Sequence, residues 1–286
     1  MKAKADVKTK LFAGMTVIGL VLGMAPADTA QGADLQPTTI AAFNQYVNLS
    51  EAQMDAGDRN GEPFLWVERL PDAKRSAAEA QLRRGEVVIE RLETLDNGKR
   101  IECPGGMIHH WIGTVFIPGA TLAQTLALVE DYDHHQDYYR PDVMRSKILR
   151  HSGDEYLVNL RFYKHKVITS VIDTDHDVHY FLIDPEHASS RSRTTRVQQV
   201  QNAGKPDERL LPEGHDDGLL WRMNTYWRFE EKDNGTYVEC QTISLTRDIP
   251  TGLGWLIGGY VNSVPRESLT FTLATTRSAV LQRAAH

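Results

Sequence analysis

Residues 219–246 read LLWRMNTYWRFEEKDNGTYVECQTISLT, and the fold is decided there. Asp233-Asn234-Gly235 is a signal for the tight turn that joins two antiparallel strands. The flanking runs, Leu219–Glu230 and Thr236–Thr246, are rich in the aromatic and β-branched residues that suit strands. Along the first run Trp221, Met223, Thr225, Trp227 and Phe229 share one face, while Arg222, Asn224, Tyr226 and Arg228 share the other. The turn puts Cys240, Thr242 and Ser244 on the same face as the first set. That face needs cover, and the chain beyond it offers some. Pro265 reads as a helix start, and Leu269, Leu273, Thr276 and Val280 then recur at helical spacing.

Working back toward the N-terminus, strands continue. Ser189–Gln201 follows a turn at Pro185-Glu186. Val167–Asp173 and Val178–Ile183 read as one long, broken strand. Val143–Arg150 and Glu155–Tyr163 meet across Ser152-Gly153-Asp154. The segment 202–217 is rich in Gly, Pro and charge and reads as a loop. Before these, Met107–Ile117 is a strand with Trp111, Val115 and Ile117 on one face. Thr121 caps a helix carrying Leu122, Thr125, Leu126 and Val129. His134–Tyr139 forms a second short helix that stops before Pro141. Upstream, Val87–Leu95 alternates in part before a turn at Asp96-Asn97-Gly98. Residues 34–84 are helical and polar: one helix capped at Thr38 or Thr39, a break at Asp58, Asn60 and Gly61, and a second helix opened by Pro71-Asp72.

The order is strand, two helices, about six antiparallel strands, then a long helix. An α+β fold is expected, with a curved antiparallel sheet of about seven strands gripping the C-terminal helix. An N-terminal helical extension packs on it. A sheet gripping one helix leaves a cavity between them, the natural place for a ligand. Large aromatics interrupted by small hydroxyls suit such a cavity wall, although an ordinary packed core has the same periodicity. The residues expected to line it are Trp221, Met223, Thr225, Trp227 and Phe229, with Leu269 and Leu273 from the helix. The apolar, glycine-flanked segment Gly252–Gly259, with Trp255 at its centre, is placed where a gate would open or touch a membrane.

Other chemistries leave little trace. The eleven histidines include the adjacent pairs His109-His110 and His134-His135, but neighbours on a strand point to opposite faces. No ligand spacing for a metal is visible. No nucleophile elbow and no phosphate-binding glycine loop occurs, so no catalytic residue and no cofactor is assigned. Arg191 and Arg193 share a face of their strand, with Arg196 on the other. They are read as solvated or ion-paired, or else as an inward group for a ligand carboxylate or phosphate. A net charge of −6 gives no footprint for nucleic acid.

The first 27 residues have the layout of a secretory signal peptide. Lys2, Lys4, Lys8 and Lys10 precede the uncharged Leu11–Met24, and Ala25-Pro26-Ala27 offers a cleavage site. The mature chain would be periplasmic or extracellular. Losing four Lys and one Asp takes its charge from −6 down by three, to −9. Export permits a Cys103–Cys240 disulfide, but the reading favours two independent buried thiols.

Val129-Glu130-Asp131-Tyr132-Asp133, followed by Tyr138-Tyr139-Arg140-Pro141-Asp142-Val143, resembles the helix–helix–strand signature of the START-like helix-grip superfamily, the group with lipid-transport and polyketide cyclase/dehydrase proteins. Trp221–Phe229 and Pro265–Leu273 resemble its last hairpin and gripping helix. The resemblance spans residues 107–286. Residues 1–27 are then the signal peptide and 28–106 the N-terminal extension. It implies a hydrophobic cavity for a lipid, sterol or polyketide-like ligand. The expectation is an exported binding or transport protein with a hydrophobic small-molecule partner and transient membrane contact, and with no nucleic-acid partner. An enzyme such as a cyclase or hydrolase on the same scaffold, or an envelope interaction module with a filled core, stands as the alternative. Oligomeric state is left open.

Overall fold

The computed structural model describes residues 33–165, 169–217, 219–248 and 254–284, and side chains at all of these except 33 and 254–262. The export signal lies outside the described residues. Residues Gly32–His286 form one compact unit. Helix α1 is Pro37–Arg59 and α2 is Asp72–Arg83, with a 3-10 turn at Trp66–Arg69 between them. Strand β1 (Val88–Arg91) lies within the stretch read as extension, yet it pairs with β2 (Gly106–Pro118) and becomes an edge of the main sheet. Next come α3 (Leu122–Val129) and the single-turn α4 (His135–Tyr138). The long antiparallel run is β3 (Val143–Ser152), β4 (Glu155–His165), β5 (Thr169–Leu182), β6 (His187–Gln201), β7 (Arg222–Glu231) and β8 (Gly235–Arg247). Helix α5 (Gly254–Ala284) ends the chain. The order across the sheet is β1-β2-β8-β7-β6-β5-β4-β3, with Arg209–Leu210 as a short ninth strand beside β6. Among the described residues no helix is long and apolar enough to cross a membrane.

Local chemistry explains the elements. Thr121 accepts a hydrogen bond from the Gln124 backbone N–H, and the Gln124 side chain accepts from the Thr121 N–H, a complete capping box for α3. The β7–β8 turn holds Asp233 and Asn234 at φ of 56° and 57°. These short polar side chains tolerate the left-handed region that a two-residue hairpin turn demands. Gly235 serves a different need: a Cβ there would lie 2.5 Å from the Ile117 carbonyl oxygen of β2.

The concave face of the sheet carries the main core. Val115, Ile117, Phe229, Val238 and Cys240 pack against Leu269, Leu273 and Val280 of α5. The helix comes close because β2 has a glycine beneath it. A Cβ on Gly113 would meet Leu273 Cδ1 at 2.8 Å. The convex face is covered by the N-terminal helices. Phe43, Tyr46 and Val47 of α1 pack on Tyr226, Ile243 and Leu245, while Leu65, Val67, Ala78 and Leu82 pack on Phe116.

Three expectations need correction. Helix α5 begins at Gly254, eleven residues before Pro265, which sits inside it. A helix survives an internal proline at the loss of one backbone hydrogen bond, and the glycines before it had read as breakers. The segment Gly252–Gly259, read as the place for a gate, is therefore helical from Gly254 onward, while Gly252 and the side chain of Trp255 lie outside the described residues. Second, His109 and His110 do point to opposite faces, but both are buried, because the sheet is covered on both sides. Third, Arg196 lies on the same face as Arg191 and Arg193. Asp175 pairs with Arg196 and His176 with Thr194, so Thr195 is bulged out and the alternation resets. Arg191 pairs with Asp55 of α1, Arg193 with Asp177, and Arg196 with Asp173 and Asp175. All three are committed to the convex side, so the inward-arginine reading fails.

Candidate functional site

The register arranges the concave face in rows that run across the sheet. One row is Trp111–Thr242–Thr225–Ser192–Val178–Tyr156, each residue paired with the next. The row beside it is Gly113–Cys240–Trp227–Ser190–Tyr180. On the other side come His109–Ser244–Met223, with His176 further along the sheet. Thr242, Thr225 and Ser192 are consecutive, half-buried hydroxyls, bordered by the half-buried rings of Trp111 and Trp227. Trp227 stacks on Phe229, with ring centroids 5.9 Å apart and planes within 2° of parallel. Exposure falls along β7 from Met223, Thr225 and Trp227 to the fully buried Phe229. Half-buried side chains (Trp111, Met223, Thr225, Trp227) thus stand between the buried His109 and His176 on one side and the end packed under Leu269 and Leu273 on the other.

The two histidines of this face are neutral, while Arg91, paired with Trp111, sets a positive charge at its edge. Burial pushes His176 down to about 4. Burial, with a contribution from Arg91, does the same to His109. The Thr174 hydroxyl donates to the Leu160 carbonyl at 3.0 Å, so it accepts from His176 Nε2–H at 2.8 Å. That assignment leaves His176 Nδ1 as an acceptor, 3.5 Å from Ser192 Oγ. His109 Nε2 lies 3.0 Å from Thr246 Oγ1. The arrangement offers neutral donors and acceptors between aromatic surfaces. It suits an uncharged ligand that carries few polar atoms.

Of the residues expected to line the cavity, Met223, Thr225, Trp227 and Phe229 share the concave face, and Leu269 and Leu273 close its deep end. Trp221 does not join them. It precedes β7, packs with Phe43, Tyr46 and Tyr226 on the convex side, and its indole N–H donates to Asp216 at 3.1 Å. Strict alternation had carried the pattern one residue beyond the strand.

A cavity of about 450 Å³ opens where the flank of α5 faces the β3–β4 edge. Pro141, Asp142, Tyr163, Lys164, Val264 and Phe271 contribute to its lining. Lys164 is ion-paired with Asp142, and its ammonium lies 5.9 Å from the centroid of the Phe271 ring. None of the expected residues whose side chains are described lines this cavity. The β3–β4 turn offered only a partial signal: counting back from Ser152-Gly153-Asp154 would pair Val143 with Lys164, and two bulges, between Val143 and Arg145 and between Ile148 and Arg150, shift it to Phe162 and set Asp142 beside Tyr163 and Lys164. Cys103 and Cys240 are free thiols in separate packing clusters. Among the described residues no group of three or more His, Cys, Asp or Glu is placed to hold a metal ion.

No family model matches the chain, and no curated protein matches it in sequence. Solved structures align to it at low identity. A STAR-related lipid transfer protein from Xanthomonas axonopodis is 18% identical, with 67% of this chain and 98% of that one covered, at a TM-score of 0.41. The Zhui aromatase/cyclase from a Streptomyces species is 14% identical, with 62% and 96% covered, at 0.40. A protein from Thermus thermophilus is 13% identical, with 62% and 98% covered, at 0.42. On its own topology, one strand, two short helices and six further strands wound antiparallel about a long C-terminal helix, the chain has a helix-grip α+β fold.

Proposed function

We propose that the chain is an exported binding or transport protein for a hydrophobic small molecule, lipid, sterol or polyketide-like, held between the sheet and α5. The observation that carries the reading is the incomplete burial of the concave face. Trp111, Trp227 and Met223 remain half-buried there beside a strip of hydroxyls, instead of being sealed into the core as Phe229 and Val238 are. Apolar surface left partly exposed inside a fold gains stability when a ligand covers it, at about 25 cal/mol per Å². Export rests on the charged, apolar and small-residue sequence of residues 1–27. Transient membrane contact during ligand exchange belongs to the same proposal.

Titration with a fluorescent sterol or fatty-acid probe tests it. Saturable binding with energy transfer from tryptophan is expected, weakened by Trp227→Ala. A probe that reports no saturable site on the wild-type chain would refute the binding reading.

A further inference from the structure

The hydroxyl of Ser190 is out of place in a finished core. Its residue is 1% exposed, and Oγ has no hydrogen-bond partner among the described residues. Leaving a buried hydroxyl unpaired costs stability, so such groups are rare and call for an explanation. Its position offers one. Ser190 is paired across the sheet with the half-buried Trp227 on one side and the buried Tyr180 on the other, so it lies where the half-buried strip meets the packed end. Two residues along the same strand and face, Ser192 reaches His176 Nδ1 only at 3.5 Å, a long contact that leaves its oxygen free to accept. The charges that β6 carries, Arg191, Arg193 and Arg196, are all held by aspartates on the opposite face.

We propose that Ser190 and Ser192 form a hydrogen-bonding subsite for a neutral oxygen, a hydroxyl or carbonyl, at the deep end of a ring-bearing hydrophobic ligand. This rests on the concave-face reading above and narrows it. The ligand is an uncharged, oxygen-bearing polycycle whose ring system lies against Trp227, and neither a fatty-acid carboxylate nor a phosphate group occupies the deep end. Among the described residues Arg91 stands four strands away from β6 at the sheet edge, so the desolvation of an anion beside Ser190 would go uncompensated. A pure hydrocarbon would leave Ser190 unpaired.

The test uses three probes with one ring system: pyrene, 1-hydroxypyrene and 1-pyrenecarboxylate, read by energy transfer from tryptophan in the full chain. Hydroxypyrene is expected to bind tightest. Ser190→Ala should cut its advantage over pyrene by about 3- to 10-fold and leave pyrene affinity unchanged. The same variant should also melt about 2–4 °C higher without ligand, because an unpaired buried hydroxyl has gone. A hydroxyl serving the fold would do the reverse. Ser192→Ala should reduce the same preference and provides a second reading. Equal affinity for all three probes, a preference for the carboxylate, or a Ser190→Ala chain that keeps the hydroxypyrene preference would overturn the subsite alone. Failure of all three probes to bind would overturn the concave-face reading and the subsite with it.

Discussion

Trp221 and Trp227 sit six positions apart on one stretch of chain and serve opposite faces of the sheet. Trp221 is sealed against α1, whereas Trp227 is half-buried beside Thr225 and Ser190. Trp221→Ala should therefore cost stability, about 3–5 kcal/mol by denaturant unfolding, and leave probe affinity unchanged in the folded protein. Trp227→Ala should weaken probe binding at least as much as it lowers stability. Equal effects of the two on probe binding would contradict the placement of the rings. Glu239 makes a second residue-level prediction. It is buried on the convex side, where it accepts from the Trp66 backbone N–H at 2.7 Å and from Thr114 at 3.3 Å. Burial outweighs these bonds and the nearby Arg228, and raises it to about 7. A carboxyl raised on folding contributes stability that is complete below its unfolded value, near 4.5, and is lost as pH rises through about 7. Glu239→Gln should flatten that decline, on the order of 3 kcal/mol across the window, in unfolding measured from pH 4.5 to 8.

Helix α5 lies on β2 through the missing side chain of Gly113, where Leu273 fills the space a Cβ would take. Gly113→Ala must push the helix away from the sheet and should destabilise the fold by about 1–3 kcal/mol in thermal or denaturant unfolding. A neutral effect would mean that the helix is free to shift. At this scale much was legible. Alternation along 219–246 located β7 and β8 and their concave set, and Thr121 and the spacing of Leu122, Thr125 and Val129 located α3. What stayed hidden depends on contacts between distant segments. Pro265 lies inside a helix that packing sustains, the bulge at Thr195 turns Arg196 to its aspartates, and Asp142 meets Lys164 only once β3 and β4 pair. Trp221 was misplaced because a strand's end cannot be read from alternation, which continues on paper after the ladder has stopped. Ser190 could be read as a strand residue, but not as an unpaired hydroxyl, because pairing is a property of the folded surroundings.

Four imidazoles are buried among the described residues, His109, His110, His135 and His176, each held by burial at about 4. Depressed on folding, they contribute stability that is complete above pH 6.5 and lost as pH falls toward 4, on the order of 2–3 kcal/mol each. Unfolding followed by circular dichroism should show a steep loss of stability between pH 6.5 and 4. Constant stability across that range would mean that the imidazoles are not buried as described. The proposed export makes a separate prediction: N-terminal sequencing of the mature chain should begin between Asp28 and Asp34, and a chain retaining Met1 would refute it. The central claim is that the concave face is a site for a hydrophobic ligand and not an imperfect core. Native mass spectrometry of the chain purified from its own compartment tests it most directly. The account predicts an adduct of a few hundred daltons that extracts into organic solvent, persists in Trp221→Ala and is depleted in Trp227→Ala. The bare chain mass in all three proteins, before and after incubation with lipid extract, would contradict it.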